Sequence, residues 1–118
     1  MPYITSAPEV HQRALAPGDA FLLLASDGVW EWLFNEDAVT AAADAAREGG
    51  SPASRVVEAV MAQASAYTSV PVDRIRALHG VQRRQCHDDI TVTVVAVSVL
   101  GAELLGMTRA AHAVGPPQ

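Results

Sequence analysis

The sequence predicts an α+β fold in which a small antiparallel sheet packs against amphipathic helices. Residues 20–25 form a continuous apolar run between two turn signals, and the run is too short for a helix. Residues 90–99 are rich in β-branched side chains, which favour strands. Between these two runs, apolar residues recur at helical spacing. The sequence therefore predicts two strands separated by helices.

The residues around the first predicted strand suggest how it is placed. Residues 9–15 have mixed polarity and predict a short edge strand, which Pro17-Gly18-Asp19 ends as a turn. Residues 20–25 lack polar side chains, so we expect a central strand that is buried on both faces. This strand ends at Ser26-Asp27-Gly28, and the bulky residues 29–34 predict one or two helical turns.

Two helices are predicted between the strands. Asn35 is a good N-cap residue, and its helix should run to Arg47 and stop at Gly49-Gly50. Ser51 followed by proline marks the start of the next helix. Its apolar positions form one stripe that should face the core: Ala53, Val56, Val57, Val60, Met61 and Ala64. Residues 70–87 are less regular, and the tail predicts a short helix around 102–109.

The composition excludes several classes of protein. The chain has 118 residues, of which 50% are hydrophobic, and a formal net charge of −5. It is too apolar to be disordered, and it lacks the basic face that nucleic-acid binding requires. Its single cysteine cannot build a disulfide framework, no apolar run approaches the ~20 residues of a membrane span, and the first residues do not resemble a signal peptide. We therefore expect an intracellular protein, cytoplasmic or nuclear, with no membrane or nucleic-acid partner.

Acidic residues lie at one end of each predicted strand. Asp27 follows the first strand, and Asp88 and Asp89 precede the second. If the strands are antiparallel neighbours, Asp27 and Asp88 converge at one edge of the sheet. Two close carboxylates repel unless a cation or a proton intervenes, and oxygen ligands suit Mg²⁺ or Mn²⁺. The pattern therefore predicts a divalent-metal site, with ordinary turn residues as the alternative.

Two segments that contain these acids resemble a known family. Residues 21–33, Phe-Leu-Leu-Leu-Ala-Ser-Asp-Gly-Val-Trp-Glu-Trp-Leu, resemble a hallmark segment of the metal-dependent protein phosphatases of type 2C (the PPM family). Residues 87–95, His-Asp-Asp-Ile-Thr-Val-Thr-Val-Val, resemble the last catalytic motif of that family, and residues 3–10 resemble the strand before the hallmark. The resemblance implies part of an α-β-β-α sandwich. Residues 1–100 would be the C-terminal part of the phosphatase domain, and 101–118 a tail.

The resemblance also implies a function, the hydrolysis of phosphoserine and phosphothreonine in phosphoprotein substrates at a binuclear Mg²⁺ or Mn²⁺ centre. It implies that Asp27 and Asp88 are metal ligands, that Gly28 lets the backbone turn close to the ion, and that Asp89 supports the site or caps the strand. The family's phosphate-binding Arg and its Asp-Gly-His-Gly-Gly segment have no counterpart in this chain. We therefore expect a C-terminal fragment that is inactive alone and whose partner would be the missing N-terminal half of the same domain.

Other features leave alternatives open. Cys-dependent phosphatases need an Arg six positions after the catalytic Cys. The residue six positions after Cys86 is Val92, so we interpret Cys86 as an ordinary loop thiol. Four arginines in the approach to Asp88 either steer a phosphoprotein to the site or belong to a solvated loop: Arg74, Arg76, Arg83 and Arg84. The alternative functions are a non-catalytic pseudophosphatase-like binding or scaffolding module, and a small α+β domain with an accidental motif match.

Overall fold

The computed structural model describes residues 4–106 of the chain. Its elements in chain order are β1 (Phe21–Ala25), α1 (Asp27–Trp30), α2 (Asn35–Arg47), α3 (Pro52–Thr68), α4 (Val72–Ala77), α5 (Gly80–Arg84), β2 (Val92–Ala96) and α6 (Val99–Leu104). The helices cover one face of a small antiparallel sheet. The predicted α+β class is therefore confirmed.

The sheet pairs β1 with β2, although five elements separate them in the chain. The strands are antiparallel, with Phe21 opposite Ala96 and Ala25 opposite Val92. The predicted second strand, 90–99, is longer than the observed β2, because residues 90–91 lead into the strand and residue 99 already begins α6.

The prediction that β1 is buried on both faces was wrong. Phe21, Leu23 and Ala25 pack against the core, whereas Leu22 and Leu24 on the other side are 53% and 48% exposed. The physical reason is that the described residues cover only one face of the sheet. A continuous apolar run indicates two faces suited to burial, but it does not supply the layer that would cover the second one.

The main core lies between the sheet and the helices α2 and α3. Val29, Ala38, Ala42, Val56 and Val60 are completely buried there. The small alanines let α2 and α3 pack closely. Of the predicted stripe on α3, Val56 and Val60 face this core, whereas Met61 and Ala64 pack in a second cluster and Ala53 and Val57 are half-buried. The hydroxyl of Ser51 accepts a hydrogen bond from the backbone N–H of Ser54 (3.3 Å), so the predicted cap of α3 is also confirmed.

A second, smaller cluster organises the segment that leads to Asp88. Ala64 of α3, Ile75 of α4 and Cys86 are buried together. Trp32 packs against both this cluster and the main core. The irregular pattern of residues 70–87 therefore corresponds to two short helices, α4 and α5. Ile75 holds α4 on α3, and Cys86, which follows α5, packs in the same cluster.

Four further expectations need correction. Residues 9–15 do not form a strand, because no described strand lies beside them to complete a hydrogen-bond ladder. The first helical turn begins at Asp27 rather than at residue 29, and α2 has Phe34 rather than Asn35 at its N-cap. The helix expected near 102–109 runs instead over Val99–Leu104, and the expected tail beyond residue 106 lies outside the described residues.

Candidate metal centre

The acidic residues are placed by the ends of the two strands. Because β1 and β2 are antiparallel, the C-terminal end of β1 and the N-terminal end of β2 lie at the same edge of the sheet. Asp27 is the first residue of α1, which follows β1 after Ser26 alone. Asp88 lies in the segment that enters β2 from α5. The predicted convergence of Asp27 and Asp88 is present in the structure.

A third carboxylate joins these two. One carboxylate oxygen from each of Asp27, Glu31 and Asp88 lies within 4.8 Å of the other two, and all three residues are exposed. We call these residues the carboxylate cluster. Glu31 was not among the predicted ligands, because the helical turn was expected to begin at residue 29. With α1 starting at Asp27, Glu31 is at position i+4 and therefore on the same helix face.

Asp89 lies outside the carboxylate cluster although it is adjacent to Asp88. Its side chain accepts a hydrogen bond from Arg83 (2.8 Å), and Arg84 lies 4.0 Å away. The backbone N–H of Asp89 donates to Oδ1 of Asp88 (2.7 Å). The backbone of Asp89 thus contacts the carboxylate of Asp88, while its own carboxylate is paired with arginine.

Gly28 is buried directly behind the cluster. A Cβ atom at this position would collide with the backbone carbonyl of Asp89. The close approach that requires glycine here is therefore between α1 and the backbone of residues 88–89, which brings the two acidic segments together.

His87 and Cys86 are buried immediately before Asp88. Nδ1 of His87 lies 2.6 Å from the backbone oxygen of Asp88, and since a carbonyl oxygen can only accept, the ring donates through Nδ1. Cys86 packs against the second apolar cluster. Cys86 therefore holds the approach to Asp88 against α3 and α4, while the ring of His87 bonds to the backbone of Asp88 itself.

The four arginines of this segment do not form one patch. Arg83 and Arg84 pair with Asp89. Arg76 and Arg83 line a cavity of about 430 Å³, whereas Arg74 lines a different cavity of about 420 Å³ beside Cys86. Only part of the predicted group therefore lies near the acidic residues.

Comparisons with known proteins identify the family. The family model described as protein phosphatase 2C matches residues 1–72, which include Asp27 and Glu31 of the carboxylate cluster. The chain belongs to the protein phosphatase 2C family. This membership excludes the alternative of an accidental motif match in an unrelated α+β domain.

Protein phosphatase 2C relatives match most of this chain. It is 43% identical over 94 residues to the probable protein phosphatase 2C 29 of Oryza sativa subsp. japonica, an alignment that covers 80% of this chain and 24% of the relative. It is 37% identical over 94 residues to the probable protein phosphatase 2C 67 of Arabidopsis thaliana, covering 80% of this chain and 25% of the relative. The chain thus spans about a quarter of the length of these relatives. No solved structure matches it.

Within residues 4–106, no helix combines the length and the apolar character that crossing a membrane would require.

Proposed function

We propose that this chain is the C-terminal part of a protein serine/threonine phosphatase domain and that its carboxylate cluster binds Mg²⁺ or Mn²⁺. The observation that carries the proposal is the approach of Asp27, Glu31 and Asp88 to within 4.8 Å at the edge of the sheet. The substrates would be proteins that carry phosphoserine or phosphothreonine.

The donor set fits a hard divalent cation. Carboxylate oxygens are the side-chain ligands that Mg²⁺ and Mn²⁺ prefer. Three carboxylates this close repel one another when ionised, and a divalent cation offsets that repulsion. When bound, such an ion would activate a water molecule for attack and neutralise charge on a phosphoryl group. Asp27, Glu31 and Asp88 would hold the ion, and Asp89 would orient Asp88 through its backbone N–H.

We further propose that the chain alone is inactive, or nearly so, as a phosphatase. A binuclear centre needs more ligands than three carboxylates, and phosphate needs a cationic partner. Arg83 and Arg84, the arginines beside Asp89, are engaged by that acid. The remaining ligands and a phosphate-binding group would come from the part of the domain that the relatives contain and this chain lacks.

Metal binding is tested by titrating the 118-residue chain with Mn²⁺ in a calorimeter. We expect binding that weakens about tenfold or more in Asp27→Asn and Asp88→Asn, because each loses a charged ligand. Asp73→Asn, on α4, removes an exposed acid outside the cluster and serves as the control. A chain whose Mn²⁺ affinity is the same in all four forms would contradict the proposed centre.

Catalysis is tested by Mn²⁺-dependent hydrolysis of a phosphoserine peptide. The chain alone should release no phosphate above the metal-only background. Adding the N-terminal part of a 2C phosphatase domain, as a separate polypeptide or a fusion, should restore activity that Asp27→Ala abolishes. Activity of the chain alone, lost in Asp27→Ala, would overturn the proposed inactivity but not the proposed chemistry.

A non-catalytic binding module is the second candidate function. The observation that favours it is the outward face of the sheet, where Leu22, Leu24 and Val95 are 53%, 48% and 43% exposed. Such a face suits protein contacts. If phosphoprotein binding by the chain persists without metal and is lost in Leu22→Thr, this candidate would replace the phosphatase fragment.

A further inference from the structure

Ser26 joins the two acidic segments through its side chain. The residue stands between Ala25, the last residue of β1, and Asp27, the first of α1. Its hydroxyl oxygen accepts a hydrogen bond from the backbone N–H of Thr91 (3.0 Å), and the hydroxyl donates to the backbone oxygen of Asp89 (3.0 Å). One side chain on the β1 side therefore holds two backbone groups on the Asp88 side.

These bonds extend the sheet by one further step. The register that places Ala25 opposite Val92 places Ser26 opposite Thr91. The backbone N–H of Ser26 donates to the oxygen of Thr91 (3.0 Å), as expected for a hydrogen-bonded antiparallel pair. The return bond normally goes to the carbonyl of the facing residue. Here the hydroxyl of Ser26 accepts it instead.

The use of the Ser26 hydroxyl as acceptor, in place of the Ser26 carbonyl, has a structural consequence. The carbonyl of Ser26 accepts a hydrogen bond from the backbone N–H of Val29 (3.0 Å), so it is already used by the first turn of α1. The chain can therefore leave the strand and enter the helix at once without losing the last pair of the ladder. This abrupt change starts the helix at Asp27, which places Glu31 one turn later.

Ser26 is not used as an ordinary helix cap. Its side chain makes no capping hydrogen bond to α1, although it occupies the N-cap position, where serine usually accepts from the following turn. The same residue type at the start of α6, Ser98, does cap its helix through the N–H of Gly101 (3.1 Å). The hydroxyl of Ser26 is therefore committed to the facing strand.

We infer that Ser26 is a positioning residue for the carboxylate cluster, whose cross-strand hydrogen bonds set the separation between the Asp27–Glu31 face of α1 and Asp88. The inference rests on the proposed metal centre for its functional meaning. Ser26 would not contact the ion. It would pre-organise the ligands, and groups that orient metal ligands in this way typically change metal affinity by ten- to a hundredfold.

The test compares Ser26→Ala with Ser26→Thr in the 118-residue chain. Alanine removes both bonds and should weaken Mn²⁺ binding about tenfold or more, whereas threonine keeps the hydroxyl and should restore most of the affinity. Ser98→Ala removes one side-chain bond to backbone at the other end of β2, and it should leave Mn²⁺ affinity unchanged. A merely structural role would lower the stability of Ser26→Ala but leave the Mn²⁺ affinity of its folded form unchanged.

A second measurement does not depend on metal. In the metal-free chain, hydrogen exchange of the Thr91 amide should accelerate about tenfold or more in Ser26→Ala, but not in Ser26→Thr or Ser98→Ala. Unchanged Thr91 exchange in Ser26→Ala would overturn the inference.

The two measurements also separate this inference from the proposed function. If the wild-type chain binds no Mn²⁺, the proposed centre fails and Thr91 exchange alone decides the positioning role. If the wild type binds Mn²⁺ and Ser26→Ala binds it equally well, the inference fails and the proposed centre stands.

Discussion

At the scale of single residues, Gly28 is a position where any side chain would collide with the backbone of a neighbouring segment. On helix propensity alone, Gly28→Ala in α1 should stabilise the chain by roughly 1 kcal/mol. The added Cβ would instead meet the carbonyl of Asp89, so we expect a net destabilisation of about 1–3 kcal/mol from overpacking. Denaturant unfolding measures the difference. Gly18→Ala is the matched control, since its Cβ would have nothing within 4 Å, and an equal effect of both substitutions would contradict this account.

Asp19 gives a prediction about acid stability. The hydrogen bond from the backbone N–H of Ala16, and after it the charge of Arg13, lower the pKa of Asp19 below its ordinary value of 3.8. A lowered pKa in the folded state adds stability that is present above pH 3.8 and lost as pH falls through the folded pKa.

Asp19→Asn should therefore slightly lower the free energy of unfolding at neutral pH. Below pH 3.8 the stability of this variant should fall less steeply with decreasing pH than that of the wild type. Urea unfolding midpoints measured across the acid range check both effects. Arg13→Gln keeps the Ala16 bond, which is the largest cause, and should retain most of the pH dependence. A larger flattening in Arg13→Gln than in Asp19→Asn would show that the assignment is wrong.

At the scale of elements, Ile75 links the helices to the candidate site. It is fully buried in the second cluster, which holds the segment between α4 and Asp88 on α3. Ile75→Ala should destabilise the chain by about 2–5 kcal/mol through lost burial and a residual cavity. Because that segment carries Asp88, Mn²⁺ affinity should fall as well.

Calorimetry and denaturant unfolding on the same samples check both effects of Ile75→Ala. Val81→Ala on the neighbouring α5 is the control, since Val81 is 75% exposed and its truncation should change neither quantity. A loss of stability with unchanged Mn²⁺ affinity would mean that the second cluster does not position Asp88.

At the scale of the whole molecule, the sheet leaves apolar surface uncovered. Leu22, Leu24 and Val95 lie on its outward side, and each strand pairs with only one described neighbour. Uncovered sheet faces and free strand edges favour association. We expect the isolated chain to self-associate as concentration rises, which sedimentation velocity would measure.

The double variant Leu22→Thr/Leu24→Thr should reduce that association while keeping β propensity. Val10→Thr is a matched control, because Val10 is also exposed, at 82%, but lies outside the sheet. A monomeric wild-type chain, or equal association of the double variant and Val10→Thr, would show that the sheet face does not mediate self-association.

The sequence alone determined the features that depend on local chemistry. The helical spacing of Val56, Val60 and Ala64 predicted the buried face of α3, and Ser51 with Pro52 predicted its start, because caps and periodicity act over a few residues. Asp27 and Asp88 could be paired because antiparallel strands bring those ends together.

The tertiary structure alone decided the rest. Glu31 joined the cluster only once α1 was seen to start at Asp27, and the hydroxyl of Ser26 acts on residues more than 60 positions away in the chain. The exposure of one face of β1 was likewise decided only by the tertiary structure. An apolar run such as 20–25 indicates which faces of a strand are suited to burial. Whether another layer covers those faces depends on elements elsewhere in the fold, and a local sequence pattern does not contain that information.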